Sequence, residues 1–485
     1  MAPTPSGLQR DGTVLLPGGR KAALAALLAG SSLVIGCDAP VEPIACAAPT
    51  VVRSSVAPSP NNVLSAIVYA EVRSADSVAV RFGRAAAAMD GVTPAVTPLA
   101  DSAVMPLFAL YHSADYGMQV IAFNRCAQTV GPVLSFATGT LPSDLPSYSA
   151  AGPDPSPGYV VFAAGNYGLV IDNAGRVVWY HRFPNGPGLN FQAQPNGRYV
   201  ARPTPATTGE VARWVEIDPL GTITRTLGCA RGLQSRFHEM LAEPDGSYWL
   251  LCDEVRTVNL SAAGGSSQAT VMGTAVQHLS VTGDVLFDWT PFDHFQIDLQ
   301  AIQAGDQAGG VINWTHGNAL DLDSAGNLLV SFRNLSEVTK INTRTGAVVW
   351  RMGGSRNEFT LENIAAPAFS RQHGVRATGA GRVLLLDNLG DPLVSRAERY
   401  EYDEVRRTVR LSASYASSTG AVAQTGGTTQ NLPGGRTLVS YGSGGSVEEY
   451  DAAGNVAWKI EGRPGYVFRA QRIRSLYRPG AGDPR

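Results

Sequence analysis

Three of the seven histidines fall at the same place in a repeated sequence phrase. His238, His316 and His373 precede a turn glycine by eight, ten and eight residues, and each is expected to open the first strand of its repeat. The innermost strand of such a repeat lines a central channel, so equivalent positions in different repeats meet near the axis. The other histidines, at positions 112, 181, 278 and 294, share no position and are expected to be structural or surface residues.

Three converging imidazoles can hold a zinc ion, or they can handle an anionic group with one imidazole as the nucleophile. Arg333 follows His316 by 17 residues, on the next strand of the same repeat, and Asn318 lies two residues beyond His316, on the same strand face. A guanidinium repels a metal ion but matches the oxygens of sulfate, phosphate or carboxylate groups. The residues therefore favour an anion site, and neither a metal nor another cofactor is expected.

The repeat consists of two recurring phrases: a strand, a tight turn and a strand, followed by a hairpin that ends the unit. Trp179, Trp350 and Trp458 each stand four residues after the turn glycine of their hairpin. The first phrase occurs as FQAQPNGRYVAR, HEMLAEPDGSYWLLC, HGNALDLDSAGNLLVSFR, HGVRATGAGRVLLLDN and TTQNLPGGRTLVSYG. The two phrases together supply four antiparallel strands, which is the unit of a β-propeller blade.

The count of these units predicts a six-bladed β-propeller over residues 159–485. Its first segment, GYVVFAAGNYG, would pair with YVFRAQRIRSLY near the C-terminus, which removes the exposed edge of an open array. The unit between His238 and His316 is longer than its neighbours. Its surplus, DHFQIDLQAIQAGDQAGGVIN, is expected to be a loop or lid insertion.

Residues 37–141 predict a separate small domain. Short β-rich runs such as NVLSAIVYAEV and SVAVRFG alternate with turn residues, which is typical of a β-sandwich of the immunoglobulin or fibronectin type. The proline- and serine-rich residues 142–158 are expected to form a linker. With 53 glycines and 31 prolines among 485 residues there is little room for long helices, so the chain is expected to be all-β.

Residues 1–36 have the features of an export signal. Arg20 and Lys21 precede an apolar run that is too short for a membrane span, and the run ends in VIGC, which resembles a bacterial lipobox. Cys37 would then carry a lipid anchor, and the chain would reside in the periplasm or outer envelope, in contact with a membrane. The alternative is an ordinary signal peptide that happens to precede a cysteine.

The remaining cysteines are an even set in an oxidising compartment. They are Cys46, Cys126, Cys229 and Cys252. Proximity in the sequence favours the pairs Cys46 with Cys126 and Cys229 with Cys252, although four cysteines allow three connectivities.

Composition limits the possible partners. The net charge is −2, only 16% of the residues are charged, and no run of Lys or Arg occurs. Phosphate recognition needs a concentrated basic surface, so nucleic acid is excluded as a partner. The sequence also has no P-loop-like GxxxxGK[ST] segment.

Four stretches resemble the bacterial arylsulfate sulfotransferases, which are exported six-bladed propellers with a small N-terminal β-sandwich. The stretches are FHEMLAEPDG, THGNALDLDSAGNLLVSFRN, RMGG after Trp350, and SRQHGVRATGAGRVLLLDN. The resemblance covers nearly the whole chain after the export signal. It implies that His373 takes the sulfuryl group as a transient sulfohistidine, and that His238, His316, Asn318 and Arg333 bind the sulfuryl oxygens. A threonine of the last blade also belongs to such sites, and Thr428 or Thr429 is the nearest candidate.

The chemistry that this resemblance implies is transfer from an aryl sulfate donor to a phenol acceptor. Positioning and cationic hydrogen-bond donors dominate such a transfer, because the equatorial oxygens carry charge in the transition state. A protonated His238 or His316 would donate to the departing phenolate, and a covalent intermediate predicts ping-pong kinetics. No nucleotide sulfate donor is needed. The insertion before His316 leaves the choice of acceptor open.

Two other functions compete with this interpretation. INTRTGAVVWRMGG resembles the tryptophan repeat of quinoprotein dehydrogenases, but the expected blade count and the histidine trio argue against that class. A non-catalytic envelope lipoprotein that acts as a scaffold fits the lipobox and the sandwich equally well. A scaffold, however, gives no reason for three axial histidines and an arginine.

Overall fold

Short β-strands joined by glycine- and proline-rich turns account for nearly all the regular structure. The computed structural model describes residues 47–84, 88–207, 209–299 and 302–484. These residues contain no α-helix, and none of their helical segments is long and apolar enough to cross a membrane. The described helical segments are the 3₁₀ turns Ser261–Ala263, Pro291–Asp293, Ala304–Asp306, Arg333–Leu335 and Pro433–Gly435.

The first seven strands form two sheets, ordered β1-β2-β5 and β4-β3-β6-β7. Their bounds are β1 Thr50–Pro58, β2 Ala66–Arg73, β3 Ser77–Gly83, β4 Gly91–Val92, β5 Ser102–Leu107, β6 Asp115–Phe123 and β7 Gln128–Ala137. Side chains of both sheets, among them Val68, Met105, Met118 and Val120, are buried in one shared core. Two sheets around one core agree with the predicted sandwich, and the immunoglobulin type stays a prediction.

The later strands form six further sheets within the described residues. Their bounds are β8 Ala150–Ala151, β9 Tyr159–Ala164, β10 Tyr167–Ile171, β11 Val177–Arg182, β12 Phe191–Ala193, β13 Tyr199–Ala201, β14 Trp214–Ile217, β15 Ile223–Leu227, β16 Gln234–Ala242, β17 Tyr248–Val258, β18 Ala269–Leu279, β19 Val285–Trp289, β20 Gln307–Ala308, β21 Val311–Asn313, β22 Gly317–Leu322, β23 Leu328–Phe332, β24 Glu337–Ile341, β25 Val348–Gly353, β26 Thr360–Glu362, β27 His373–Gly379, β28 Arg382–Asp387, β29 Arg396–Asp403, β30 Thr408–Ala416, β31 Thr428–Asn431, β32 Thr437–Ser440, β33 Val447–Tyr450, β34 Val456–Ile460 and β35 Ala470–Ile473.

Each of these sheets contains four antiparallel strands in sequence order, apart from the sheet that the two ends share. The orders are β35-β9-β10-β11, β12-β13-β14-β15, β16-β17-β18-β19, β22-β23-β24-β25, β27-β28-β29-β30 and β31-β32-β33-β34. Strand β8 adds to β34, β26 adds to β30, and the β20-β21 hairpin of the predicted insertion adds to β18. The fold is therefore nearly all-β and propeller-like.

The C-terminal strand closes the array, as the sequence predicts. Strand β35 pairs antiparallel with β9, and Gln471 lies opposite Val161. This pairing gives the first sheet its fourth strand and removes an open edge.

Tryptophans on outer strands link one sheet to the next. The indole N–H of each donates to a turn of the following sheet. The bonds are Trp179 to the Pro219 carbonyl at 2.8 Å, Trp289 to the Gly346 carbonyl at 3.1 Å, Trp350 to Glu404 Oε1 at 3.2 Å and Trp458 to the Asn173 carbonyl at 2.9 Å. The hairpin tryptophans of the sequence repeat thus hydrogen-bond one sheet to the next. Trp289 makes the same kind of bond, although the sequence spacing did not single it out.

Polar side chains link the innermost strands, whose inner edges have no neighbouring strand. Backbone groups on such an edge need other hydrogen-bond partners when they are buried. The links are Gln192 Nε2 to the Met240 carbonyl, Asn318 Nδ2 to the Gln372 carbonyl, Thr429 Oγ1 to the Gly374 carbonyl, Gln430 Nε2 to the Arg472 carbonyl, and the Ala193 N–H to Gln471 Oε1. Side chains of one sheet therefore fix the backbone of the next.

The predicted domain boundaries stay predictions. Residues 48–485 form one compact unit, and residues 150–151 of the predicted linker form strand β8. The predicted export signal, Cys37 and Cys46 lie outside the described residues. Cys126 is disulfide-bonded.

The predicted disulfide between Cys229 and Cys252 is confirmed. It joins the segment after β15 to strand β17 and encloses β16, which carries His238. A cross-link of two residues 23 positions apart restricts the unfolded chain and stabilises the fold by about 3 kcal/mol.

We expect the double variant Cys229→Ser/Cys252→Ser to unfold at a lower urea concentration, with a free energy of unfolding reduced by about 3 kcal/mol. Replacing both cysteines avoids an unpaired thiol and leaves Cys126 untouched. Equilibrium urea unfolding followed by tryptophan fluorescence measures the change. An unchanged midpoint would contradict the assigned role of this cross-link.

Candidate active site

One cavity of about 730 Å³ brings together four residues that the sequence singled out. His238, His316, His373 and Arg333 all line it. Aromatic side chains contribute much of the remaining wall, namely Phe237, Tyr466 and Phe468. The cavity thus combines nitrogen donors and acceptors with apolar rings.

The three histidines share an irregularity at the start of an innermost strand. The pairing register shifts between Ser235 and Met240 in β16, between Gly317 and Ala319 in β22, and between His373 and Arg376 in β27. His316, directly before β22, has φ of +48°, a left-handed conformation that histidine adopts more readily than most residues. Such bulges redirect side chains and often lie beside active sites.

Gly374 lets two innermost strands touch beside His373. Its φ is +64°, and a Cβ at this position would lie 2.8 Å from the Thr428 Cα. A side chain would therefore push β27 away from β31. The glycine keeps His373 close to the loop that carries Gly426.

The His373 ring is held in one orientation. Its Nδ1 lies 2.8 Å from Asn388 Oδ1 and 3.2 Å from the Arg371 carbonyl oxygen, and the Gly426 N–H donates to its Nε2 at 3.3 Å. Burial lowers the pKa of His373 to about 3. The imidazole is therefore neutral at ordinary pH, and a neutral imidazole is the nucleophilic form.

His238 and His316 form a second, coupled pair. Their Nε2 atoms lie 3.2 Å apart, and Asn313 Nδ2 lies 2.7 Å from His316 Nδ1. Burial, followed by the charge of Arg236, holds the pKa of both rings well below the usual range. In the ligand-free site both rings are therefore neutral, which differs from the protonated donor expected from the sequence. Only one hydrogen can occupy the space between the two Nε2 atoms.

Three arginines line or border this cavity, and two of them have carboxylate partners. Arg371 donates to Asp306 Oδ1 and Oδ2 at 2.8 and 2.9 Å, and Arg236 pairs with Asp253. Arg333 donates instead to Asn334 Oδ1 at 2.9 Å and to the Gln424 carbonyl at 3.4 Å. It forms no ion pair with a carboxylate in the described part of the chain, so its charge can bind an anion.

The predicted insertion is part of this site. Its Asp306 holds Arg371, and its Asn313 contacts His316. Asn334 connects the two arginines, since its Oδ1 accepts from Arg371 at 2.7 Å as well as from Arg333. The insertion therefore fixes side chains inside the cavity in addition to lining it.

Two predicted ligands lie outside the cavity lining. Asn318 Nδ2 donates to the Gln372 carbonyl at 2.7 Å, because the bulge at the start of β22 disrupts the alternation of faces. Thr428 lines a separate small cavity near Glu239 and Arg376, and the Thr429 hydroxyl donates to the Gly374 carbonyl at 3.1 Å. Their roles as sulfuryl ligands remain predictions.

A buried charge cluster lies next to the histidines. Glu239 Oε2 accepts from Arg376 Nη2 at 2.9 Å and from Arg469 Nη2 at 2.8 Å. Burial lowers the pKa of Arg469 to about 10. Arg469 also donates to the His238 carbonyl at 3.2 Å, so this cluster helps to fix the backbone that carries His238.

Sequence reasoning missed several residues of this arrangement. Among them, Arg371 and Asp306 occupy no recurring position that the sequence repeat would select, whereas Asn388 does. One signal was available: Asn334 and Asn388 each follow the second strand of a histidine-bearing phrase, in FRN and LDN. In the described residues, no group of three or more His, Cys, Asp or Glu side chains is arranged to hold a metal ion.

Comparison with known proteins adds the family. The family model described as Arylsulfotransferase (ASST) matches residues 230–463. The match covers just under half of the chain and supports the arylsulfate sulfotransferase family. The matched segment contains His238, His316, Arg333 and His373, and the resemblance noted in the sequence is confirmed. The matched family implies an enzyme with aryl sulfotransferase activity on small aryl sulfate and phenol substrates.

Solved structures give more distant likenesses. A protein of unknown function from Bacteroides caccae is 14% identical, with a TM-score of 0.42, over 66% of this chain and 100% of its own. Virginiamycin B lyase from Staphylococcus aureus is 10% identical, with a TM-score of 0.35, over 64% and 88%. An auxiliary nutrient binding protein from Bacteroides ovatus is 12% identical, with a TM-score of 0.34, over 86% and 90%. No curated protein matches the sequence.

We expect Asp306→Ala to lower the free energy of unfolding by about 3–5 kcal/mol, because it leaves the buried Arg371 guanidinium without its carboxylate. Chemical denaturation measures the change. Arg406→Ala is the matched control, since it breaks the exposed pair with Asp403 and should cost at most about 1 kcal/mol. Equal losses in the two variants would contradict a buried ion pair at Asp306.

Proposed function

We propose that the protein transfers a sulfuryl group from an aryl sulfate ester to a phenolic acceptor through a sulfohistidine at His373. The proposal depends on the state of His373, which is neutral and lines the cavity. Two hydrogen-bond acceptors engage its Nδ1. In the first step the Nε2 lone pair attacks sulfur and the bond from sulfur to the aryl oxygen breaks. In the second step the acceptor oxygen attacks sulfur, the bond from Nε2 to sulfur breaks, and the lone pair returns to Nε2.

The sulfuryl oxygens would bind to the side chains that face His373 across the cavity. Arg333 supplies a guanidinium without a carboxylate partner. In the ligand-free site the ring hydrogen of the His238 and His316 pair lies between the two Nε2 atoms, and a sulfuryl oxygen would accept it in place of that contact. We assign this donor to the neutral pair, because the pKa of both rings is low in the ligand-free site. The same N–H would hydrogen-bond to the departing phenolate. The acceptor phenol would lose its proton through the pair to that phenolate or to solvent, so that the pair ends the cycle neutral.

Asn318 and Thr428 complete the proposed set. The Thr428 hydroxyl oxygen is buried and makes no hydrogen bond to the described residues, so its donor is available. Because Thr428 lines the separate small cavity, its hydroxyl would have to turn toward His373 to bind a sulfuryl oxygen. Asn318 would act through the Gln372 carbonyl, which it holds next to His373. The aryl rings of donor and acceptor would pack against Phe237, Tyr466 and Phe468.

We further propose the finer architecture and location that the sequence predicts. The propeller-like part would have six blades over residues 159–485, after an immunoglobulin-like sandwich over residues 37–141. The chain would be exported to the periplasm or outer envelope and anchored through Cys37. The disulfide between Cys229 and Cys252 is consistent with an oxidising compartment. Neither a scaffold nor a quinoprotein dehydrogenase is favoured, given the family.

We expect purified protein to release phenol from a chromogenic aryl sulfate in an acceptor-dependent reaction without added metal or nucleotide. Double-reciprocal plots at several acceptor concentrations should be parallel, as a covalent intermediate requires. With donor alone, peptide mass spectrometry should find one sulfuryl group on His373. His373→Ala should abolish both signals.

The matched control is His278→Ala, which removes a half-buried imidazole that stacks on Trp249 outside the cavity. This variant should keep the acceptor-dependent reaction. Undiminished turnover in His373→Ala, or an adduct on a different residue, would refute the proposal.

We expect kcat/KM for the donor to stay nearly constant between pH 8 and pH 5. The pKa of His373 is about 3, and an imidazole is neutral above its pKa, so the nucleophile keeps its reactive form across this range. An imidazole with an ordinary pKa near 6.5 would lose about 30-fold in its neutral fraction at pH 5. Initial rates with a donor whose sulfate remains ionised measure the profile, and a 30-fold fall would contradict the assigned state of His373.

A further inference from the structure

Asn388 lies directly after β28 and is fully buried behind the His373 ring. Its Nδ2 donates to the carbonyl oxygens of Ala423 and Gly426, both at 2.9 Å. A carbonyl oxygen can only accept, so these two bonds fix which end of the amide is nitrogen. Oδ1 is therefore the atom that lies 2.8 Å from His373 Nδ1.

The hydrogen-bond partners of the two His373 ring nitrogens indicate which nitrogen carries the hydrogen. Nδ1 faces two acceptors, Asn388 Oδ1 and the Arg371 carbonyl oxygen. Nε2 faces a donor, the Gly426 N–H at 3.3 Å. The neutral ring therefore carries its hydrogen on Nδ1 and a lone pair on Nε2.

We propose that Asn388 is a positioning residue that holds the His373 imidazole in its Nδ1-protonated form, so that Nε2 alone takes the sulfuryl group. This inference rests on the proposed function. It adds a residue that acts through His373 and does not itself touch the substrate.

The amide also suits the second step of the reaction. When the bond from Nε2 to sulfur forms, the ring keeps its Nδ1 hydrogen and becomes a sulfonated imidazolium. A positively charged imidazole ring is a good leaving group when the bond from Nε2 to sulfur breaks. The neutral amide of Asn388 accepts the hydrogen bond from Nδ1 without neutralising the charge of the ring. A carboxylate at position 388 would stabilise the cation or take the proton, and the bond from Nε2 to sulfur would then break more slowly.

The other charged or titratable groups around His373 do not supply this contact. They are Arg333, Arg371, Arg469, His238 and His316. Arginine side chains can only donate, and the two histidines are neutral in the ligand-free site. Among these neighbours, only the Arg371 carbonyl shares the acceptor role with Asn388.

The first test needs no substrate. Long-range ¹H–¹⁵N spectra of protein labelled with ¹⁵N-histidine, with His373 assigned through His373→Gln, should place the hydrogen on Nδ1. A hydrogen on Nε2 in the unmodified protein would overturn the inference, whether or not any variant folds. Asn388→Ala should give a mixture of the two forms, and an unchanged spectrum in that variant would likewise overturn it.

The second test follows the intermediate. Asn388→Ala should slow adduct formation on the order of 10²-fold, because the nucleophile is no longer aligned. Asn388→Asp should form the adduct but transfer it to phenol about tenfold more slowly, which corresponds to about one pKa unit of ring basicity. Quench-flow mass spectrometry on His373 measures both steps, and transfer at the original rate in Asn388→Asp would contradict the role given to the neutral amide.

Asn62 provides the matched control for both variants. It is also a buried amide between backbone groups, since its Nδ2 donates to the Tyr180 carbonyl at 3.0 Å and its Oδ1 accepts from the Leu64 N–H at 2.9 Å. It does not line the histidine cavity. Asn62→Ala and Asn62→Asp should leave the His373 spectrum and both rate constants unchanged. If no adduct forms on His373 in any protein while the spectrum is as expected, the proposed function fails and the orientation by Asn388 stands.

Discussion

The unpaired inner edges of the sheets are the constraint on which the rest of the structure depends. Backbone groups on these edges are buried, and they need partners that no further strand can supply. Amide and hydroxyl side chains of the neighbouring sheet provide them, as Gln192 does for the Met240 carbonyl and Gln430 for the Arg472 carbonyl. Because each innermost strand is fixed by the next, and β35 returns to β9, residues from distant parts of the chain are held around one cavity.

The electrostatics of the cavity follow from this enclosure. Burial disfavours the charged form of an imidazole, so the histidines are neutral, and the pKa of His373 falls to about 3. Buried guanidiniums remain charged, and two of the three at the cavity have carboxylate partners, Asp253 and Asp306. Arg333 has none in the described residues. The site therefore offers a neutral nucleophile and one available positive charge, which suits the transfer of a group whose oxygens are anionic.

The insertion before His316 contributes side chains to the site. It supplies Asp306 to Arg371 and Asn313 to His316, and Asn334 carries these contacts on to Arg333. A shorter connection between β19 and β22 would lack these contacts. The segment that makes this repeat longer than its neighbours therefore helps to hold the arginines of the cavity in place.

The sequence by itself determined the strand repeat, the pairing of the two ends and the common position of three histidines, and it favoured the bond between Cys229 and Cys252 that the structure contains. The repeat, the histidine position and the cysteine pair depend on local periodicity or on proximity along the chain. The pairing of the two ends follows from the four-strand unit, because the first sheet needs one more strand to complete it. The tertiary structure alone decided that Asn388 and Arg371 meet His373, that Asp306 reaches the cavity, and that Asn318 turns to the next strand. Periodicity assigns a side chain to one face of a strand, but bulges break this alternation and burial depends on neighbours far away in sequence. The tertiary structure also decides whether the histidines are charged, because the pKa of each ring depends on the groups that surround it.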